Sequence, residues 1–495
     1  METATEKRIP PEVYQFFSKP GGHSLIVRGD AGTGKTTLAL QIIEEISAVD
    51  RSFYHSTRVS DRSLLSQFSW LKDHVWNAER SDRLTGDIQV KDGISIAGGR
   101  SGLSDLKGIG ISPMECTQEG SLSITIGKDM GELEGIYQNI EERLPERSLL
   151  VIDSIDALAE KYGLTCARLL NTIQYDIVEV YGSNVLFVVE NGDAALDYLG
   201  DGVINLRRSE FNRRRLRELE ILKLRGCEIQ QPRYIFTLDG GRIRTFGYHW
   251  ARDASVTQTQ WKPIGDLDGR ISTGISDIDR FLGGLEEGSI ALIELGHGVP
   301  ATVSGAIEAS LVSNFAIQRR GVLWVPMRKA SAEGARSRTI HTVPTEYFDQ
   351  YVRIPEKADQ MAYSNSPYVM PIEGSDAFSD FKWQNVEYAL SNAERPILAL
   401  MGLDTMQSMY GSGLDEQLMD FLAQVRRQGG IFVALSPPSV GSVNARLSDL
   451  STTRLRIERV GGTILLYGEE PFTECYAWHF KNKGAGGDVS LTPIL

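Results

Sequence analysis

Residues 24–40 read SLIVRGDAGTGKTTLAL. An apolar stretch, Leu25 to Val27, runs into Gly29-Asp30-Ala31-Gly32-Thr33-Gly34-Lys35-Thr36, and a helix-like stretch from Thr37 to Ile46 follows. Strand, GxxxxGK[ST] and helix in that order are the context of a phosphate-binding loop, which belongs to α/β folds. A triphosphate must be held by several backbone N–H groups at close range, and glycines let the chain wrap that tightly. Lys35 would reach the β- and γ-phosphates, the Thr36 hydroxyl would ligate Mg²⁺, and the helix N-terminus with Thr37 would add its dipole. The competing reading is a chance glycine-rich turn before a helix, which the strand and helix flanks disfavour. ATP and Mg²⁺ are therefore the expected ligands.

Such a site needs a second acidic group. SLLVIDSID at 148–156 supplies an apolar strand ending in Asp153, placed to hold Mg²⁺ through water. Alternatively, Asp153-Ser154 simply starts a helix over 155–162. Glu190, at the end of VLFVVE, is either a γ-phosphate sensor or a strand-end cap.

The length of 495 residues allows two to four domains, and internal similarity decides among them. ISTGISDIDRFLGGLEEGSIALIELG at 271–296 repeats the outline of EVYQFFSKPGGHSLIVRG at 12–29, and PILALMGLDTMQSM at 396–409 echoes SLLVIDSIDAL. Two tandem α/β domains are expected: 1–246, a linker over 247–268 tacked down by Trp250 and Trp261, and 269–495. The second loop, Gly296-His297-Gly298-Val299-Pro300-Ala301-Thr302, has no lysine, and its proline removes a backbone donor. A dead or weak second site follows. Asp404 would keep the place of the metal-binding aspartate or be a structural remnant.

Composition removes other classes. Hydrophobic residues at 41% and charged residues at 24% are ordinary globular usage. A formal charge of -13 argues against a chain that coats nucleic acid or anionic lipid along its length. Cys116, Cys166, Cys227 and Cys475 form no CxxC pair, and the histidines show no ligand spacing, so neither zinc nor a disulfide framework is indicated. With no long apolar run and no signal-like start, a cytoplasmic chain is expected.

The phosphate loop, VIDSIDAL, LDYLGDGVINL, LRELEILKLRG at 216–226 and STGISDIDRFLGGLEEGSI at 272–290 together resemble the KaiC branch of the RecA-like ATPases. The resemblance implies two tandem RecA-like domains, each a twisted, mostly parallel sheet flanked by helices. It also implies a homo-oligomeric ring, possible as a hexamer, with nucleotide at subunit boundaries. Lys223 and Arg225 match the family's KxRG cations, which reach the neighbouring subunit's phosphates, so that with Lys35 they complete the catalytic set. Their bland reading is a pair of charges on an edge strand. The family's catalytic Glu-Glu pair is not matched: after the second strand stand Thr57-Arg58, and in the second copy Arg328-Lys329. Guanidinium cannot take a proton, so slow or conditional ATP hydrolysis is expected.

Within that branch the chain is similar to the archaeal gas-vesicle regulators of the GvpD family, on Ile9-Pro10, Phe16-Phe17, one N-terminal loop and an arginine-rich run. The implied role is repression through a transcription activator. The run is Arg207, Arg208, Arg213, Arg214, Arg215 and Arg217, with local charge of about +5. Its readings are a dock for an acidic protein partner, a structural or subunit contact, or a nucleic-acid contact. Nucleic acid is the least favoured, since Phe211 is the one aromatic inside the run. A RecA-like DNA recombination or repair ATPase and a nucleotide-independent scaffold remain the alternatives. The Gly/Ser-rich stretch 82–120 is read as a lid or a passive loop.

Overall fold

The computed structural model describes residues 8–46, 51–57, 61–68, 70, 131–142, 144–190, 194–248, 261–357, 366–480 and 489–495. The stretch 82–120, Arg58, Cys116 and Trp250 lie outside them. The chain forms two units. One comprises 1–211, 216–247 and Leu495, and the other 212–215 and 248–494.

The first unit is built on eight strands: β1 (Ser24–Gly29), β2 (Arg51–Ser56), β3 (Ser148–Asp153), β4 (Asn184–Val189), β5 (Gly202–Phe211), β6 (Arg214–Leu224), β7 (Arg233–Thr237) and β8 (Arg244–Phe246). Their order is β2-β3-β4-β1-β5-β6-β7-β8. The pairs from β2 through β5 are parallel, while β7 pairs antiparallel with both β6 and β8. The central strands are buried on both faces, which is why they read as continuous apolar runs. Alternation still sorts the side chains. Leu25 and Val27 enter one core layer with Leu38 and Ile42 of the helix Lys35–Ile46, whereas Ile26 enters the opposite layer with Ile155 and Leu158.

The second unit has ten: β9 (Ile290–Leu295), β10 (Arg320–Val325), β11 (Val352–Lys357), β12 (Val369–Ile372), β13 (Glu394–Gly402), β14 (Ile431–Ser436), β15 (Thr453–Val460), β16 (Thr463–Glu470), β17 (Tyr476–Phe480) and β18 (Val489–Pro493). Their order is β12-β11-β10-β13-β14-β9-β15-β16-β17-β18. The segment β10-β13-β14-β9-β15 repeats β2-β3-β4-β1-β5 with all pairs parallel. Both sheets are thus of the RecA-like kind, mostly parallel and flanked by helices. Trp261 is buried, its indole N–H donating to Asn314 Oδ1 at 3.3 Å within this unit. Among the described residues, no helix is long and apolar enough to cross a membrane.

Candidate functional site

β1 delivers the loop to the carboxyl edge of the first sheet, between β4 and β5, where open α/β sheets bind ligands. Two glycines are required there. Gly29 has φ 148°, and a Cβ on it would stand 2.3 Å from the Leu206 carbonyl oxygen of β5. Gly34 has φ 103°, and a Cβ would press on the Leu238 side chain at 3.3 Å. Thr33 closes the loop, its N–H and hydroxyl both donating to Asp30 O, at 3.3 and 2.9 Å. Lys35 is 8% exposed and donates to Gly29 O at 2.7 Å and Asp30 O at 2.9 Å. Burial holds its ammonium below the usual lysine range, opposed by the charges of Glu190, Asp153, Asp30 and Asp156.

Asp153 ends β3 beside this loop. Its Oδ2 accepts from the Thr36 hydroxyl at 2.7 Å and from the Tyr54 hydroxyl of β2 at 2.8 Å. The helix Ile155–Tyr162 is capped by Ser154, whose hydroxyl accepts from Ala157 N at 3.4 Å. The aspartate is therefore not spent on the cap. A hard cation needs oxygen donors, and this carboxylate and hydroxyl are two, with phosphate and water to supply the rest. Among the described residues no cluster of three or more His, Cys, Asp or Glu could hold a metal without such help.

Beyond these, Asp156 Oδ2 accepts from Glu190 N at 2.7 Å and so pins the end of β4 to the helix that follows β3. One register step past the Arg28↔Val189 pair, Glu190 lies opposite Gly29. Lys223 and Arg225 sit elsewhere. Lys223 donates to Gly200 O at 2.5 Å and Arg225 to Asp201 Oδ1 at 2.9 Å, and Asp201 in turn binds Ser24, where β1 begins. That is the opposite edge of the sheet from their own loop. Burial, then Arg225, lowers the Lys223 pKa.

The arginine run does not form one open patch. Arg207 pairs with Glu220 at 3.1 Å, and Arg213 with Glu469 at 3.2 Å. Arg208 Nη2 donates to Ala31 O at 2.7 Å, and Arg217 Nη1 to Gly32 O at 3.3 Å, both on the phosphate loop. The Arg214 side chain is wholly buried. It donates to Thr473 O at 2.7 Å, Asn212 O at 2.6 Å and Gly468 O at 2.5 Å, and its guanidinium lies 4.4 and 4.1 Å from the rings of Tyr467 and Phe472. Arg215 is exposed and has no partner among the described residues.

Residues 13–223 match the model of the GvpD gas vesicle protein, P-loop domain. This segment is similar to the P-loop domain of the GvpD gas vesicle proteins. Over nearly the whole chain there is similarity to Protein GvpD1 of Halobacterium salinarum, 23% identical across 98% of this chain and 97% of that protein. Protein GvpD2 of the same organism is 22% identical across 98% and 96%. The circadian clock oscillator protein KaiC of Acaryochloris marina is 26% identical across 60% of this chain and 51% of that protein. The GvpD-like and KaiC-like resemblance read from the motifs is what these matches show, and a P-loop domain of this kind implies nucleotide binding.

The second unit repeats the strand order of the first with different residues at the loop. Asp404 lies in the first turn of the helix Leu403–Tyr410 and accepts from Arg328 N at 2.8 Å. The helix after the second loop starts at Ala301, as its counterpart starts at Lys35, with Pro300 at its N-cap. A cavity of about 250 Å³ at the strand ends is lined by Glu294, His297, Ser436, Asn444, Arg456 and Glu458. Glu294 is held there between Arg454 and Arg456 at 3.0 Å each.

Tyr54, Arg208 and Arg217 were not assigned to the phosphate site from sequence. Tyr54 carried a weak signal, since it alternates with Ser56 on the strand beside the SLLVID strand. The arginines were legible as charge but not as loop contacts.

Proposed function

We propose that this chain is an ATP-binding regulatory protein of the gas-vesicle type, which binds Mg-ATP at its first loop and hydrolyses it slowly or only when stimulated. The observation that carries this is the 2.7 Å bond between Thr36 and Asp153, within a GxxxxGKT loop. Slow turnover is supported by Thr57 standing where the KaiC branch has the first of two glutamates; its hydroxyl donates to Asp153 O at 3.2 Å. Lys223 and Arg225, remote from their own loop, fit contacts to the phosphates of a neighbouring copy in a homo-oligomer. The exposed arginines of the run, Arg207, Arg213 and Arg215, fit an acidic protein partner such as a transcription regulator, the repressor reading that the GvpD likeness suggests.

The test is sedimentation of the wild type and Lys35→Ala with and without Mg-ATP, with phosphate release followed on the same samples. ATP-dependent assembly lost in Lys35→Ala, with little phosphate released, supports the proposal. Turnover at the rate of a motor ATPase, abolished by Lys35→Ala, contradicts the slow-hydrolysis part. The rival DNA-repair reading requires DNA affinity at physiological salt that falls steeply with ionic strength.

A further inference from the structure

β5 is longer than the strand it pairs with. The register runs from Leu25↔Gly202 to Gly29↔Leu206, so β5 continues past the end of β1 to Phe211 and carries Arg208 out over the loop. There Arg208 Nη2 rests on Ala31 O at 2.7 Å, and its guanidinium atoms lie 3.7–3.9 Å from where a Cβ on Gly32 would be. The turn into β6 has Asn212 at φ 47° and Arg213 at φ 64°, the two left-handed residues of a type I′ hairpin. That turn sets Arg217 opposite Arg208, and Arg217 in turn reaches Gly32 O at 3.3 Å.

Two like charges facing each other across a hairpin repel, and of the pair Arg217 also has Leu495 O, to which its Nε donates. Among the described residues no carboxylate pairs with Arg208, which ends on a carbonyl that offers only a partial negative charge. Lys35 Nζ lies on the two preceding carbonyls, Gly29 O and Asp30 O. The lysine of such a loop serves the β- and γ-phosphates. Three cations thus converge on one short arc of the loop, at the end that receives the outer phosphates.

We propose that Arg208 contacts the terminal phosphate of a nucleoside triphosphate held in its own loop, as an arginine finger supplied in cis. This rests on the nucleotide-binding reading above and adds a residue outside the loop motif and the KxRG pair. With a diphosphate, Arg208 keeps its bond to Ala31 O; with a triphosphate it exchanges that neutral acceptor for a charged one. The β5–β6 hairpin is then the part of the fold that distinguishes the two nucleotides.

The experiment titrates full-length wild type, Arg208→Ala, Arg208→Lys and Lys35→Ala with mant-ATP and mant-ADP in Mg²⁺, alongside melting curves without nucleotide. For Arg208→Ala, loss of a bond to a charged group should weaken mant-ATP by about tenfold and mant-ADP by less than about twofold. Arg208→Lys, which keeps the charge, should fall between. Arg208 is exposed, so the melting curve should not move. Equal weakening of both nucleotides would mean that Arg208 only braces the loop, and no weakening of either would mean that it does not touch phosphate; each overturns the assignment alone. A wild type that binds neither nucleotide overturns the nucleotide-binding reading itself.

Discussion

The Tyr54 hydroxyl donates to Asp153 Oδ2 at 2.8 Å, the same oxygen that accepts from Thr36. Burial, and then the neighbouring carboxylate, push the Tyr54 phenol well above its ordinary pKa, so it stays a donor throughout the working pH range. One carboxylate oxygen thereby joins β2, β3 and the phosphate loop.

Tyr54→Phe removes one of two donors to a charged acceptor. Folding stability should fall by about 1–2 kcal/mol, measured by urea denaturation. A change under about 0.5 kcal/mol would show that the bond adds nothing beyond an ordinary surface contact.

Asp153→Asn should uncouple nucleotide binding from Mg²⁺. ATP titrations of this variant in Mg²⁺ and in EDTA should give the same affinity, whereas the wild type should bind ATP more tightly with the metal. Retained magnesium dependence would place the metal's carboxylate elsewhere.

Lys35 bears a burial cost that nucleotide relieves. Its pKa is lowered in the folded chain, so below that value the folded state carries an unfavourable buried charge, and stability rises as pH climbs through it towards 10.5. Without nucleotide, Lys35→Ala should melt no lower than the wild type at neutral pH. It should also lose the ATP-induced shift, which corresponds to about 2.7 kcal/mol at a hundred times Kd. A wild type whose ligand-free stability falls between pH 8 and 10 while Lys35→Ala stays flat would contradict the sign.

Neighbouring arginines should behave oppositely. Arg214→Ala leaves three backbone carbonyls without this donor in a buried setting and Glu469 with Arg213 alone of the two arginines, and should cost about 3–5 kcal/mol. Arg215→Ala should change stability by less than about 0.5 kcal/mol. Chemical denaturation of the two variants checks both, and comparable losses would refute the division of the run.

Nucleotide stoichiometry should be one per chain. Equilibrium dialysis with radiolabelled ATP should saturate near that value and fall to background in Lys35→Ala. A second equivalent surviving in the variant would mean that the second unit binds nucleotide after all.

The signals of the phosphate loop are physically local. A strand, a glycine loop and a helix are fixed by neighbours in sequence, and the helix over 155–162 is also found at Ile155–Tyr162. The repeat was legible because strand order in both sheets follows the same apolar segments. Asp404 shows less: the motif sets it beside Asp153 or makes it a remnant, and it is found in the first turn of its helix, accepting from a backbone N–H. The arginine run shows the limit most plainly. Charge can be counted from sequence, but whether a guanidinium meets solvent, a carboxylate or the phosphate loop depends on a two-residue turn that pairs 208 with 217.

The second loop reads Gly296-His297-Gly298-Val299-Pro300-Ala301-Thr302, and the proline at its helix N-cap withholds a backbone donor. The two halves thus offer the same strand order with unlike loop ends, so a probe that needs a lysine and a full set of backbone donors addresses one half of the chain at a time.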